Sequence, residues 1–172
     1  MFRLASATLV SLSALTGAAL AGPDAFEPGI LIPEFGPVAE VDYDRPIPQG
    51  TVLRIRFDIS TRAETGELNS TLTSAARFLN MHAAAGIPAE DIHVAVVIHG
   101  AAVHDVTVGD GEANAGLVAA LNEHGVEIIV CGQSAAWYDV TPEDLQPGVS
   151  LALSAMTAHA VLHSEGYALN PF

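Results

Sequence analysis

Residues 91–100, DIHVAVVIHG, and residues 126–132, VEIIVCG, are two short and nearly continuous apolar runs that decide the fold class. Each run is closed by a glycine, Gly100 in the first and Gly132 in the second. Runs of this length and continuity are typical of strands buried on both faces of a parallel sheet. The chain is therefore expected to contain central strands that helices cover on both sides.

The segments around these two runs alternate between strand and helix patterns. Residues 51–60, TVLRIRFDIS, place apolar side chains on one face of a strand and charged ones on the other. Helical spacing of apolar residues follows in 67–86, 111–125 and 156–166, and each of these segments ends at a glycine. Residues 149–155 and 167–172 complete five predicted strands. This alternation predicts an α/β domain over residues 51–172, with a parallel sheet between layers of helices.

The charge of the chain restricts its partners. Twenty acidic residues are opposed by only six basic ones, all of them arginines, which gives a formal net charge of −14. Such a chain repels the phosphates of nucleic acids and the anionic headgroups of membranes. We therefore predict no nucleic-acid partner, and no membrane partner for the mature protein.

The first 50 residues divide into two segments with different predicted fates. Residues 1–21 combine Arg3, an apolar run and the small-residue pattern Ala19-Leu20-Ala21, which is typical of a secretory signal peptide cleaved after Ala21. Residues 22–50 are acidic and contain six of the ten prolines, which disfavour helix and predict an extended arm. Its apolar residues predict docking on the domain or on a neighbouring subunit. The alternative for residues 1–21 is a membrane anchor, and the alternative for residues 22–50 is a disordered leader. With a cleaved signal peptide, the expected location of the protein is the periplasm.

Cys131 is the only cysteine, and it lies where the second buried run gives way to a predicted helix. A lone cysteine in an exported chain is buried and inert, paired between chains, or reactive. Backbone N–H groups of Gln133 and Ser134 at the helix start would favour the thiolate. The position therefore favours a reactive thiol, although the chain offers no second cysteine to resolve a mixed disulfide.

The carboxyl ends of the predicted strands indicate where a site would form. Ligands gather at this edge of parallel sheets, which selects residues 58–60, His99 and Cys131. If the two buried runs are neighbouring strands, about 4.8 Å apart, His99 stands beside Cys131 and acts as its proton acceptor. The alternative is that His99 only satisfies backbone groups at a strand end. His104, in the following loop, is expected to be solvated.

Other motifs give weaker or negative signals. His159 and His163 are one helical turn apart, a spacing that can hold a transition metal, but the glutamate of HExxH is missing and exposed pairs are common. The stretch GDGEANAG, residues 109–116, lacks the spacing of a dinucleotide-binding loop. The chain has no lysine for a Walker motif and no GxSxG serine. We therefore predict neither a bound metal nor a cofactor.

Three segments together resemble the DsrE/DsrF-like family of small sulfur-relay proteins. They are VVIHGAAVHDV (96–106), LNEHGVEIIVCGQSA (121–135) and TPEDLQPGVSLALSAMTAHAVLHSEGYAL (141–169). The resemblance spans Val52–Tyr167. It implies a three-layer α/β/α sandwich with five parallel strands in the order 4-3-2-1-5, and a homotrimer or homohexamer. It also implies a cysteine that accepts sulfur as a persulfide and passes it on, and the motif places that cysteine at Cys131.

The first hypothesis that follows is an exported sulfur-handling protein. Cys131 would take sulfane sulfur from a small sulfur species or an exported donor protein and deliver it to an acceptor. Whether it turns over as a sulfurtransferase or acts as a carrier stays open. His99 would assist Cys131, and the residues expected to bind the sulfur are Gly100, Gly132, Gln133 and Ser134.

Two other hypotheses stay open beside it. The second is a non-catalytic oligomeric binding module in which Cys131 is structural. The third is a metal- or haem-associated protein that uses His99, His104 and Cys131, or the His159/His163 pair. In any of them, Trp137 and Tyr138 either wall a pocket or pack in the short helix or against a subunit.

Overall fold

The computed structural model describes residues 22–171, and the predicted signal peptide, residues 1–21, lies outside the described residues. Two short antiparallel strands, β1 (Phe26–Glu27) and β2 (Val38–Ala39), precede a five-stranded sheet. The strands of that sheet are β3 (Leu53–Ile59), β4 (Ile92–Ile98), β5 (Glu127–Cys131), β6 (Val149–Ala152) and β7 (Ala168–Leu169). The α-helices are α1 (Ser70–Ala84), α2 (Ala115–Glu123), α3 (Gly132–Trp137) and α4 (Ala155–Ser164).

The sheet is parallel throughout, with the spatial order β6-β5-β4-β3-β7. Counted along the domain, this is the order 4-3-2-1-5, so the predicted fold class and topology are confirmed. The two apolar runs that decide the fold become the adjacent strands β4 and β5, with Ile98 paired to Val130. Every residue of β4 except His93 is buried, which accounts for its continuous apolar sequence.

The two faces of the sheet are covered unequally. On one face, α1 and α2 supply leucines that pack against Phe57 and the apolar side chains of β4 and β5 in a large buried cluster. On the other face, α4 lies over the sheet and the buried cluster is small. Its five buried members are Ala95, Val97, Ala158, Leu162 and Tyr167.

The Pro-rich segment folds against α1 of the same chain. Its β1 and β2 pair with each other, and Ile32 between them is 1% exposed. The fully buried side chain of Asn80 in α1 accepts from the backbone N–H of Ile32 and donates to the carbonyls of Phe35 and Gly36, at 2.8–3.0 Å. One amide thereby satisfies backbone groups of a turn that carries no regular structure of its own.

Strand periodicity fixes which side chains reach the thinly covered α4 face. Successive residues of a strand point to opposite faces, and Phe57 and Ile59 point toward α1 and α2. Arg56 and Asp58 therefore point toward α4. By the same alternation, Ala95 and Val97 on that face are followed by His99, directly after β4. Among residues 22–171, no helix is both long and apolar enough to cross a membrane.

Candidate functional site

Cys131 is the last residue of β5 and directly precedes α3. Its side chain is 5% exposed, and it is the only thiol in the chain. The residues that follow the Ile98–Val130 pair on β4 and β5 are His99 and Cys131. The register of two neighbouring strands thus brings these two predicted site residues to the same sheet edge.

Hydrogen bonds from two helix starts favour the thiolate form of Cys131. Burial opposes ionisation of the thiol, but the Ser134 hydroxyl and the backbone N–H groups of Ser134, Ala155 and Gln133 outweigh it. The pKa of Cys131 is therefore lowered from its usual value. Gln133 and Ser134 belong to the start of α3, whereas Ala155 is the first residue of α4. The donors at the start of α3 are thus joined by one from α4 that the sequence pattern did not suggest.

Ser134 connects the thiol to the turn after β4. Its Oγ accepts a hydrogen bond of 2.9 Å from the backbone N–H of Gly100. Accepting this bond uses a lone pair and leaves the hydroxyl proton available for donation to the sulfur of Cys131. Gly100 has a φ of +57°, and a Cβ there would lie 3.2 Å from the carbonyl oxygen of Ser60. Glycine at position 100 therefore permits the turn that brings this N–H to Ser134.

Gly132 allows the close approach of α3 to the end of β6. A Cβ at Gly132 would lie 2.6 Å from the carbonyl oxygen of Ala152, closer than real Cβ atoms come. The next residue, Gln133, donates from Nε2 to the carbonyl of Leu153 at 3.3 Å. Gly132 thus acts by its lack of a side chain, while Gln133 ties α3 to the segment that leads into α4.

A carboxylate between two histidines lies beside the thiol. Asp58, near the end of β3, is 3.2 Å from Nε2 of His99 through one carboxylate oxygen and 2.7 Å from Nε2 of His159 through the other. Burial raises the pKa of Asp58, but hydrogen bonds from His159 and then His99 outweigh this effect, and the pKa is lowered overall. Asp58 is therefore held as a carboxylate that two ring nitrogens share.

Arg56 fixes the proton of His159. Its Nε donates a hydrogen bond of 3.0 Å to Nδ1 of His159, and its guanidinium also donates to the carbonyl of Tyr167. A guanidinium can only donate, so Nδ1 of His159 is the acceptor and Nε2 carries the proton that reaches Asp58. A metal-binding histidine needs a free lone pair on one ring nitrogen, but here the lone pair of Nδ1 accepts from Arg56 and Nε2 carries the proton. This contact therefore argues against a metal at His159.

The side chains of Cys131, Asp58 and the two histidines that contact Asp58 surround one open pocket of about 320 Å³. Its lining residues are Asp58, His99, Cys131, Gln133, Ser134, Ser154, Ala155, Met156 and His159. A neighbouring cavity of about 340 Å³ shares Asp58 with this pocket, but its other lining residues, between Ile59 and Thr71, include neither cysteine nor histidine. The pocket with the thiol is therefore the candidate site.

Several residues singled out in the sequence lie outside this pocket. His104 lies 3.4 Å from Asp110 and packs edge-on against the ring of Tyr138, with 21% of its side chain exposed. It is less solvated than we expected, because the loop after β4 forms a compact 3-10 helix over Gly100–Val106. His163 is exposed and Trp137 is 82% exposed. Within residues 22–171, no group of three or more His, Cys, Asp or Glu side chains is arranged to hold a metal ion.

Sequence reasoning missed Arg56, the contribution of Ala155, and the role of His159 at Asp58. One signal was present in the sequence. Arg54, Arg56 and Asp58 alternate on a strand that lies between two others, and a polar face on an internal strand needs polar partners. The partner is His159 of α4, more than 100 positions away in sequence. A contact over that distance cannot be predicted from a local sequence pattern.

The fold and the pocket define an α/β protein with a thiol at the carboxyl edge of a parallel sheet. The DsrE/DsrF-like family profile matches residues 57–171, which is more than half of the chain, and the protein belongs to this family. Membership points to a role in sulfur relay. No curated protein matches the chain. A solved structure of similar fold is that of MTH1491, a protein of unknown function from Methanobacterium thermoautotrophicum, with a TM-score of 0.54 and 21% identity. The match covers 69% of this chain and 97% of that one.

Proposed function

We propose that this protein is an exported sulfur-handling protein that carries sulfane sulfur as a persulfide on Cys131. The observation that carries the proposal is the set of hydrogen-bond donors around the sulfur, from Ser134, Gln133 and Ala155. A thiolate is the form that attacks a sulfane sulfur, and a lowered pKa keeps more of it present at neutral pH. Family membership supports the same chemistry.

In the proposed reaction, the Cys131 thiolate attacks the outer sulfur of a donor such as polysulfide. A bond forms between Sγ and that sulfur as the donor's S–S bond breaks, and the remainder of the donor leaves as a thiolate or hydrosulfide. Sulfane sulfur moves from one thiol to another without net oxidation. The donors at the starts of α3 and α4 then stabilise negative charge on the bound persulfide.

The proposal extends to partners and location. Three strongly exposed apolar side chains belong to the segments that line the pocket, Trp137 (82%), Leu153 (72%) and Met156 (81%). Residues 145–164 contain no charged residue, in a chain whose net charge is −14. An uncharged apolar surface of this kind suits contact with another protein. We propose that it serves a homotrimer or homohexamer, or a sulfur donor or acceptor protein, in the periplasm.

The binding-module alternative also has an observation in its favour. Cys131 is only 5% exposed, as a structural cysteine would be. On that alternative, the apolar surface binds a partner while the thiol stays inert. The two functions differ in one property, which is whether the native thiol reacts.

The test is intact-mass spectrometry of the chain from residue 22 after exposure to polysulfide. We expect one added sulfur on the wild type, lost on treatment with dithiothreitol and absent from Cys131→Ser. Ser164→Ala, which alters an exposed hydroxyl that bonds only within α4, is the matched control and should behave as wild type. An unmodified wild-type mass, together with resistance of the native thiol to iodoacetamide, would refute the carrier function in favour of the binding module.

A further inference from the structure

We propose that Arg56, His159 and Asp58 position His99 to protonate the leaving thiolate, so that the pocket is built for alkyl persulfide donors. This inference rests on the proposed function of Cys131 and names its substrate class. Asp58 lies 3.2 Å from His99 and 2.7 Å from His159, and Arg56 lies 3.0 Å from the other nitrogen of His159. The four residues form one continuous hydrogen-bonded chain that ends at His99, in the pocket.

Each member of the chain has a separate task. The side chain of Arg56 lies under α4 and is itself held by the carbonyl of Tyr167, so its direction is fixed. It leaves His159 with a proton on Nε2 only, and His159 is thereby a permanent donor to Asp58. The second carboxylate oxygen of Asp58 is then free to engage Nε2 of His99. A carboxylate in this position orients an imidazole and stabilises its protonated form.

His99 is therefore the group that exchanges a proton with the pocket. Its Nε2 is bound to Asp58, which leaves Nδ1 for the reacting molecule. Arg56, His159 and Asp58 act through His99 and are positioning residues. His99 and Cys131 follow a paired position on neighbouring strands and line the same pocket, so a donor attacked by Cys131 has its leaving sulfur near His99.

The proton balance identifies the donor class. The Cys131 thiolate reacts with an alkyl persulfide R–S–SH while His99 is protonated. The products are the Cys131 persulfide, R–SH and neutral His99. The Sγ–S bond forms as the donor's S–S bond breaks, and the proton from Nδ1 goes to the departing alkyl thiolate. An alkyl thiolate is a basic leaving group and gains from this proton. Thiosulfate would release weakly basic sulfite and gain little, and as a dianion it would meet the carboxylate of Asp58, whose side chain is 41% exposed.

The test compares leaving groups in the reaction of Cys131 with two uncharged disulfides. Bis(2-hydroxyethyl) disulfide releases a basic alkyl thiolate, and 4,4′-dithiodipyridine releases a thione that needs no proton donor. For Asp58→Asn and His159→Leu we expect the first reaction to slow by at least about tenfold, which is less than the roughly 10²–10⁴-fold that a positioned proton donor supplies, because His99 itself remains. The second reaction should change by less than about twofold, since the thiolate itself is untouched.

Two further variants separate positioning from folding. His159→Gln keeps an amide donor for Asp58 and an amide oxygen for Arg56, and it should recover most of the alkyl disulfide rate. His163→Leu alters the exposed histidine one turn further along α4 and should match wild type with both reagents. Because the result is a ratio of two rates in one protein sample, inactive protein lowers both rates equally and leaves the ratio unmoved.

The possible outcomes are distinct. Equal slowing of both reagents, or no slowing of either, in variants whose thiol still reacts would overturn the proton relay and leave the persulfide carrier standing. A wild-type thiol that reacts with neither disulfide nor iodoacetamide would overturn the carrier itself, and the relay with it. Selective loss of the alkyl reaction, restored in His159→Gln, is the result that supports the inference.

Discussion

The two faces of the central sheet differ in how fully they are covered and in which side chains they carry. The face toward α1 and α2 is filled by large apolar side chains and further covered by the Pro-rich segment. The face toward α4 has a buried cluster of only five residues and carries Arg56, Asp58, His99 and Cys131 beyond it. The difference indicates that one face supplies most of the hydrophobic stability, whereas the thin cover of the other leaves a pocket over polar side chains.

The largest expected effect is on the free energy of unfolding, when large side chains in the two buried clusters are truncated. Phe57→Ala, on the thickly covered face, should lower the free energy of unfolding by about 3–5 kcal/mol, because it leaves a cavity in a packed cluster. Leu162→Ala, on the α4 face, should cost about 2 kcal/mol, since a small cluster can close over the gap. Met156→Ala, 81% exposed, should stay within about 0.5 kcal/mol. Urea unfolding measures all three, and an equal cost for Phe57 and Leu162 would break the comparison.

The second prediction concerns Asn80, whose side-chain amide holds the Pro-rich segment against α1. Asn80→Ala should cost about 1–3 kcal/mol, because it removes the amide that bonds the N–H of Ile32 and the carbonyls of Phe35 and Gly36. Amide hydrogen exchange should rise across residues 31–36 and stay unchanged in β4 and β5. Asn122→Ala, which removes a single exposed bond to Pro147, is the control. Unchanged exchange in residues 31–36 would show that apolar packing alone holds the segment.

The third prediction concerns the ionisation of the Cys131 thiol. Ser134→Ala removes one hydrogen bond to the thiolate, so the pKa of Cys131 should rise. Below that pKa, alkylation by iodoacetamide should slow by about tenfold, because a hydrogen bond to a charged group contributes about 1.5 kcal/mol, whereas at high pH the rates should converge. Ser164→Ala should follow the wild-type pH profile. A Ser134→Ala profile that overlays wild type would mean that the backbone donors suffice.

The smallest effect is expected from the acid dependence of stability. The pKa of Asp58 is lowered in the folded state, so its ionised form stabilises the fold above the pKa of the unfolded chain. That contribution disappears as the pH falls through the folded pKa. Asp58→Asn should therefore lose less stability than wild type between about pH 7 and about pH 3, by under about 1 kcal/mol for so exposed a carboxylate. Thermal unfolding at both pH values measures it, with exposed Asp42→Asn as control; an identical loss in Asp58→Asn and wild type would contradict the prediction.

The sequence was a good guide to the sheet and a partial guide to the site. Buried strands such as β4 are recognised by their continuous apolar residues, and the helices between them are recognised by the periodic spacing of apolar residues. The fold class could therefore be predicted from local patterns. Cys131 and His99 were predicted because each closes a buried strand. Arg56 and the Ala155 donor were not, because their importance depends on the packing of α4 over the sheet, a contact between residues far apart in the chain.

By itself, the sequence determined the number of strands in the parallel sheet, the layers of helix around them, and the edge of the sheet where chemistry would gather. Side-chain periodicity and the endings of apolar runs are local properties, and each is read within about ten residues. Only the tertiary structure decided that α4 would bring His159 to Asp58 at 2.7 Å and Ala155 to the sulfur of Cys131. Those contacts depend on strand register and on how one helix crosses the sheet, which the chain specifies only once its whole core has packed.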